Sequence, residues 1–245
     1  MIQSHSFKPE PIFFTTDEEK RSNKNINEFY GIELEIIGED KYTCSYMLDN
    51  DNFFYCKNDA SIGSKGIEIV SHPASFDFHL KSNKWKKLYD ILSETMMYDN
   101  TGCGLHFHIN KNGFSIDNIA TLDFFINNNK KMMEAFGDRE FGYYCKRRNK
   151  RIHDWGSSII SDHCDAINLT NSKTIELRFF LSPTKYNVFL QKLFIVRNII
   201  LFVKQTNFSD IVVKNNIKMF VDFLNNNGFE ESLYIKTLLK NKNII

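Results

Sequence analysis

The sequence predicts an α+β fold, with helices on one face of a mainly antiparallel sheet and the other face open to ligands. Three observations lead there. Four strand-length stretches alternate apolar and charged residues: Gly31-Ile32-Glu33-Leu34-Glu35-Ile36, Gly66-Ile67-Glu68-Ile69-Val70, Leu105-His106-Phe107-His108-Ile109 and Thr174-Ile175-Glu176-Leu177-Arg178-Phe179. Successive strand side chains point to opposite faces, so each stretch has an aliphatic or aromatic side and a side of carboxylates, imidazoles or a guanidinium. Single helical patterns separate these strands, and helices dominate after residue 185, the order expected when helices gather on one face.

The elements follow in order. Residues 1–24 are polar and irregular and are expected to form a mobile arm. A first strand is expected at about 29–37. Residues 41–56, with Tyr42, Cys44 and Tyr46 before Phe53-Phe54-Tyr55, suggest a hairpin around the polar tip Leu48-Asp49-Asn50-Asp51-Asn52. Gly63-Ser64-Lys65-Gly66 turns the chain into the Glu68 strand, which His72-Pro73 stops. Trp85, Leu88, Tyr89, Ile91, Leu92 and Met96 keep a helical period, predicting an amphipathic helix over about 82–97. Ser115 suits the N-cap of a helix over about 116–136 closed by Gly137. A basic run, Lys146-Arg147-Arg148-Asn149-Lys150-Arg151, and a loop at Trp155-Gly156-Ser157-Ser158 precede the Glu176 strand, which ends at Ser182-Pro183. Residues 185–204 form a largely buried helix, and 213–240 two more, split at Asn225-Asn226-Asn227-Gly228. The expected organisation is an arm (1–24), a catalytic domain (25–205) and a helical extension packed on it (206–245).

A chain of 245 residues with 42% hydrophobic residues has room for a sizeable core, and 23 Phe imply aromatic packing. The net charge of +1 implies no general attraction to nucleic acid or an anionic membrane. Five Cys, without a CxxC pair, argue against a disulfide framework and for a reducing compartment. No basic, then apolar, leader opens the chain. Val188 to Val203, broken by Gln191, Lys192, Arg197 and Asn198, reads as too polar and too short to span a membrane. A cytoplasmic protein is expected.

Glu33 and Glu35 share a strand face about 7 Å apart. Alone, such a pair is usually a solvated face, but with Glu68 it suits a hard divalent ion, which takes oxygen ligands. His106 and His108 share a face too, and are either structural histidines or a metal ligand beside a hydrogen-bond donor; which one would bind metal stays open. Surrounding carboxylates favour Mg²⁺ or Mn²⁺ over zinc. Glu176 and Arg178 form either an ordinary ion pair or a metal ligand beside a planar donor fork for a phosphoryl group. Asp59 and Ser61 are turn residues by default, and beside Gly63 and Gly66 they could line a nucleotide edge. No Walker-type loop is present.

In order, Gly31-Ile-Glu-Leu-Glu35, Asp59-Ala-Ser61, Gly66-Ile-Glu-Ile-Val-Ser71-His-Pro73, Cys103-Gly-Leu-His-Phe-His-Ile109, Ala166-Ile-Asn-Leu169 and Thr174-Ile-Glu-Leu-Arg-Phe-Phe180 resemble the motifs of the amidoligases. That family occurs in phages and some bacteria and fungi, and is related to glutamine synthetase and glutamate–cysteine ligase. The resemblance covers about 29–205. It implies a curved, glutamine-synthetase-like antiparallel sheet whose concave face holds ATP and divalent ions, and ATP-dependent joining of a carboxylate to an amine through an acyl phosphate. It implies Glu33, Glu35 and Glu68 as metal ligands, with Glu176 and His106 or His108 completing a second ion. Arg178 would meet the transferred phosphate, and Asn168 would stand beside the site. Two departures stand out. Family members carry a helix between the first two strands, where Gly38–Phe53 promises none, and a basic residue before Ala166, where Arg147, Arg148 or Arg151 would have to substitute.

The expected protein is thus a ligase using ATP and Mg²⁺ or Mn²⁺, acting on a peptide, a cell-wall fragment or a small metabolite. It would work in the cytoplasm, the host's if phage-encoded, with no membrane or nucleic-acid partner. The sequence assigns no oligomeric state. Two alternatives remain: a catalytically inactive binding module on the same fold, motivated by the short 38–53 region, and a metal-dependent hydrolase or nuclease built on the His pair and carboxylates.

Overall fold

A computed structural model describes residues 1–22, 25–99, 102–148, 162–228 and 230–245. The chain divides into two compact units, residues 1–110 with 181–190, and residues 111–180 with 191–245.

The first unit holds β1 (Ile2–Gln3), α1 (Asp17–Arg21), β2 (Tyr30–Ile37), α2 (Lys41–Leu48), β3 (Phe54–Lys57), β4 (Gly66–Ser71), α3 (Phe76–Lys81), α4 (Lys84–Glu94) and β5 (Gly104–Asn110). β2 is central, antiparallel to β4 on one side and to β5 on the other, with β3 antiparallel to β4 and β1 parallel to β3. The alternation predicted for β2, β4 and β5 sets the register. Leu34 lies opposite Ile69 and Leu105, while Glu35 lies opposite Glu68 and Glu33 opposite His106. One face therefore buries Ile32, Leu34, Ile36, Ile67, Ile69, Leu105, Phe107 and Ile109 completely, and the charged side chains share the other. In α4, Trp85, Leu88, Tyr89 and Leu92 are the buried stripe, as the period predicted, and Trp85 stacks on Phe189 at 4.2 Å.

Two local expectations are corrected. The hairpin over 41–56 is replaced by α2 followed by β3. Tyr42, Cys44 and Tyr46 mimic a strand period, but the buried residues are Lys41, Cys44, Ser45 and Leu48, which recur at helical spacing. Asp40 caps this helix by accepting the Thr43 N–H at 3.3 Å. The stretch expected to be an irregular arm is also structured: Asn58 N–H donates to the Gln3 carbonyl at 3.0 Å, and Thr16 and Glu19 form a capping box on α1.

The second unit contains α5 (Ile116–Asn128), α6 (Lys130–Gly137), β6 (Ile167–Asn168), β7 (Thr174–Leu181), α7 (Tyr186–Lys204), α8 (Phe208–Val213), α9 (Asn216–Asn227) and α10 (Glu230–Asn241); Leu181 and the first turn of α7 belong to the first unit. β6 and β7 pair antiparallel. Ser115 caps α5 as predicted, with a capping box to Asn118. The single helix expected over 116–136 is instead two, interrupted at Asn129, whose side-chain amide donates to the Phe125 carbonyl at 2.7 Å. Gly137 is required where α6 ends, because a Cβ there would sit 2.0 Å from the Phe179 carbonyl oxygen. Phe125, Phe202 and Phe220 meet with ring centroids 5.0 to 5.4 Å apart and centre the helical core. The short helix α8 was not expected from sequence. Among the described residues α7 alone is long and apolar enough to cross a bilayer, so by length and composition the expectation that this stretch is too polar and too short does not hold. Its Leu193, Val196, Ile199, Ile200 and Val203 are wholly buried in protein.

His79 on α3 shows how tightly the first unit is bonded. It is 1% exposed, its Nε2 lies 2.9 Å from the Tyr30 carbonyl, and its Nδ1 accepts from the Trp85 indole N–H at 2.9 Å. An indole nitrogen only donates, so Nδ1 carries no proton and the ring is neutral. Burial pushes its pKa down to about 4. The unfolded chain gains a proton near pH 6.5 and the folded one only near 4, so stability is complete above pH 6.5 and falls as pH drops toward 4. The loss is about 3 kcal/mol. In His79→Gln, whose amide can donate and accept in the same directions, this increment of acid sensitivity should vanish. Urea unfolding of both proteins at about pH 7, 5.5 and 4.5 measures it.

Candidate functional site

Register brings together on one face of the first unit five residues that the sequence singled out: Glu33, Glu35, Glu68, His106 and His108. Because Glu35 lies directly opposite Glu68, and Glu33 opposite His106, three carboxylates and two imidazoles occupy neighbouring positions on three strands. The face is largely dry, with Glu35 6%, Glu68 3% and His106 3% exposed. Directly opposed like charges destabilise a sheet, more so away from water.

Several interactions offset that repulsion. One Glu33 oxygen lies 3.5 Å from His106 Nδ1 and the other 3.2 Å from His108 Nε2. Burial alone would raise the Glu33 pKa, but the charge of His108 and hydrogen bonds from both imidazoles bring it well below the usual carboxylate value. Glu35 accepts the Gly104 backbone N–H at 2.5 Å, and its other oxygen is 3.8 Å from His106 Nε2. Glu68 pairs with Lys57 at 3.0 Å. Even so, burial first and the neighbouring Glu33 second push its pKa up to about 8.

Lys57 and Tyr55 are additions that sequence reasoning missed. Lys57 lies opposite Glu68, with Tyr55 two residues before it on the same face. Burial and then the charges of Glu33 and Glu68 raise the Tyr55 phenol pKa. The signal was the alternation in Phe54-Tyr55-Cys56-Lys57, obscured by the Phe53-Phe54 pair ahead of it. Asp59 continues this edge. It caps a single 3₁₀ turn, Ala60–Ile62, by accepting the Ser61 N–H at 2.8 Å. Ser61 itself is exposed.

The remaining candidates are in the second unit. Asn168 lies opposite Glu176 across β6 and β7. Its amide donates to one Glu176 oxygen at 2.7 Å, while Arg178 binds the other, so both oxygens are engaged. The Asn168 carbonyl oxygen accepts from Thr170 N–H at 3.0 Å and from its hydroxyl at 2.7 Å. Arg178, 9% exposed, is thus oriented by a same-face carboxylate two residues away.

Of the three arginines considered for a phosphate role, Arg148 is committed elsewhere. Its guanidinium pairs with Asp123 on α5 and, at 3.2 Å, with Asp165. Its backbone N–H donates to the Asn127 side chain at 2.7 Å. Arg147 is exposed. Arg151, most of the basic run beyond it and the Trp155-Gly156-Ser157-Ser158 loop lie outside the described residues.

The donor set on the first unit's face, carboxylate oxygens with imidazole nitrogens, is of the chemical kind that divalent cations take. Glu35, Glu68 and His106 on it are buried.

No protein-family model and no curated protein matches the chain. Among solved structures it is similar to the glutamine synthetase of Plasmodium falciparum, with 12% sequence identity and a TM-score of 0.42 over 76% of this chain and 54% of that one. The chain thus spans about half the length of that enzyme.

Arg148 distinguishes structure from function. Arg148→Met strands the carboxylates of Asp123 and Asp165, which are 0% and 4% exposed. It should lower the unfolding free energy by about 3–5 kcal/mol, read from urea unfolding. Unchanged stability would return Arg148 to the list of ligand-binding residues.

Proposed function

We propose that the protein is an ATP-dependent carboxylate–amine ligase working with Mg²⁺ or Mn²⁺. The observation that carries the proposal is the sheet face on which Glu35 opposes Glu68 and Glu33 opposes His106. A buried face with three carboxylates and one lysine favours a divalent cation, and Mg²⁺ or Mn²⁺ commonly keeps coordination positions for phosphate oxygens. In this proposal Glu33, Glu35 and Glu68 hold the metal, together with His106 or His108. A metal held there would neutralise charge on ATP and on the transferring phosphoryl group.

Glu176, Arg178 and Asn168 are assigned by the motif order shared with the amidoligases. Arg178 offers donors to the transferred phosphoryl group, Glu176 and Asn168 hold that guanidinium, and Glu176 is also a metal-ligand candidate. Asp59 and Ser61 border the nucleotide edge. A substrate carboxylate oxygen attacks the γ-phosphorus and ADP leaves. The amine then attacks the acyl-phosphate carbon and loses a proton, and phosphate departs, leaving an amide. Carboxylate and amine belong to a peptide, a cell-wall fragment or a small metabolite, handled in the cytoplasm.

The alternative of an inactive binding module drew on the short 38–53 region, and α2 (Lys41–Leu48) gives that stretch a helix after all.

A non-hydrolysable ATP analogue should bind, by calorimetry, only with Mg²⁺ or Mn²⁺ present. Glu33→Ala/Glu35→Ala should weaken binding at least about a hundredfold, close to 2.7 kcal/mol. The wild-type protein should release ADP when a matching acid and amine are supplied. Metal-independent binding, or none, would defeat the proposal.

A further inference from the structure

We propose that His5, Asp59 and Glu68 form a second metal site, for a first-row transition ion of the Zn²⁺ class, that fastens the N-terminal segment to the sheet. One ligand atom from each residue lies within 4.8 Å of the ligand atoms of the other two. An ion bonded at about 2.1 Å in a tetrahedral shell holds its ligands roughly 3.4 Å apart, so a closure of at most about 1.4 Å suffices. His5 is exposed and can swing that far.

The backbone delivers these residues by three separate routes. β1 pairs with β3, Ile2 opposite Cys56 and Gln3 opposite Lys57. Phe7 N–H donates to the Ser4 carbonyl at 3.0 Å, so the chain turns where His5 sits. Phe7 then packs edge-on against Tyr55 with centroids 5.7 Å apart, securing the far side of the turn. Asp59 is fixed by its bond from the Ser61 N–H, and Glu68 is almost wholly buried beside Lys57. The site is thus a turn closed over a carboxylate pair, with a buried charged group at its base.

The donor chemistry selects the ion. One imidazole nitrogen among only three protein ligands suits Zn²⁺ or Co²⁺, whereas the carboxylate-rich set of the ligase proposal suits Mg²⁺ or Mn²⁺. Three protein ligands leave further positions to water. The site shares Glu68 with the ligase proposal and borders it at Asp59. His5 belongs to this site alone, and the inference holds whether or not nucleotide binds.

The test uses the untagged full chain and Zn²⁺ alone, titrated by calorimetry, with Co²⁺ absorption reporting the ligand set. His5→Ala and Asp59→Asn should each weaken Zn²⁺ binding at least about tenfold or remove one equivalent. Both variants should fold, because His5 is exposed and the amide oxygen introduced by Asp59→Asn can still accept the Ser61 N–H. His5→Ala should leave Mg²⁺-dependent binding of the ATP analogue as in the wild type, which separates failure here from failure of the ligase proposal. Three results would overturn the inference: no Zn²⁺ binding by the wild type, unchanged stoichiometry and affinity in His5→Ala, or loss in His5→Ala with none in Asp59→Asn.

Discussion

The register of β2 between β4 and β5 is the constraint on which the first unit depends. Side chains alternate with a period of two, so slipping β2 by one residue would exchange Ile32, Leu34 and Ile36 with the Glu33 and Glu35 face. The three aliphatic residues are wholly buried, and each is worth about 1.5–3 kcal/mol of burial. The same packing that holds the core therefore places Glu35 opposite Glu68 and Glu33 opposite His106. The polar cluster is a consequence of the hydrophobic one, and the chain cannot relieve its charge by shifting strands.

That charge is the cost of the arrangement. Burial and the neighbouring Glu33 charge both disfavour ionised Glu68. Lys57 offsets Glu68, and the two imidazoles offset Glu33, yet burial and the Glu33 charge still push the Glu68 pKa up to about 8. A fold under selection for stability alone would place aliphatic residues at these positions, since replacing buried charges with well-packed apolar groups is often neutral or favourable. Retaining Glu35 and Glu68 buried beside the half-buried Glu33 is the physical argument for a ligand that supplies positive charge.

Much of this was legible in the chain, and the losses have identifiable causes. β2, β4 and β5 were readable because a charged residue on every second position leaves one consistent aliphatic side. α2 was not, because Tyr42, Cys44 and Tyr46 alternate like a strand while the buried Lys41, Cys44, Ser45 and Leu48 include a lysine and a serine. Lys57 was missed because β3 is only four residues long, too short for its period to stand out. His5 lay in a segment read as irregular, where only pairing with β3 shows what it approaches. The role of Arg148 is non-local: its partner Asp123 lies 25 residues earlier. The signal for it was a lone carboxylate inside the apolar run Leu122-Asp123-Phe124-Phe125. Glu176 and Arg178 were readable as neighbours on one strand face, but the engagement of the second Glu176 oxygen by Asn168 needed the register of β6 with β7.

The central claim is that the Glu33–Glu35–Glu68 face is built to be completed by a divalent cation. The most direct test is the unfolding free energy of the wild type and Glu35→Gln, each with a chelator and with Mn²⁺. The metal-free variant should be at least as stable as the wild type, because one buried carboxylate is gone while the glutamine oxygen still accepts the Gly104 N–H. Mn²⁺ at about a hundred times its Kd should stabilise the wild type by about 2.7 kcal/mol and the variant far less. A metal-free variant clearly weaker than the wild type, with Mn²⁺ changing neither protein, would contradict the account and leave the face a self-sufficient structural network.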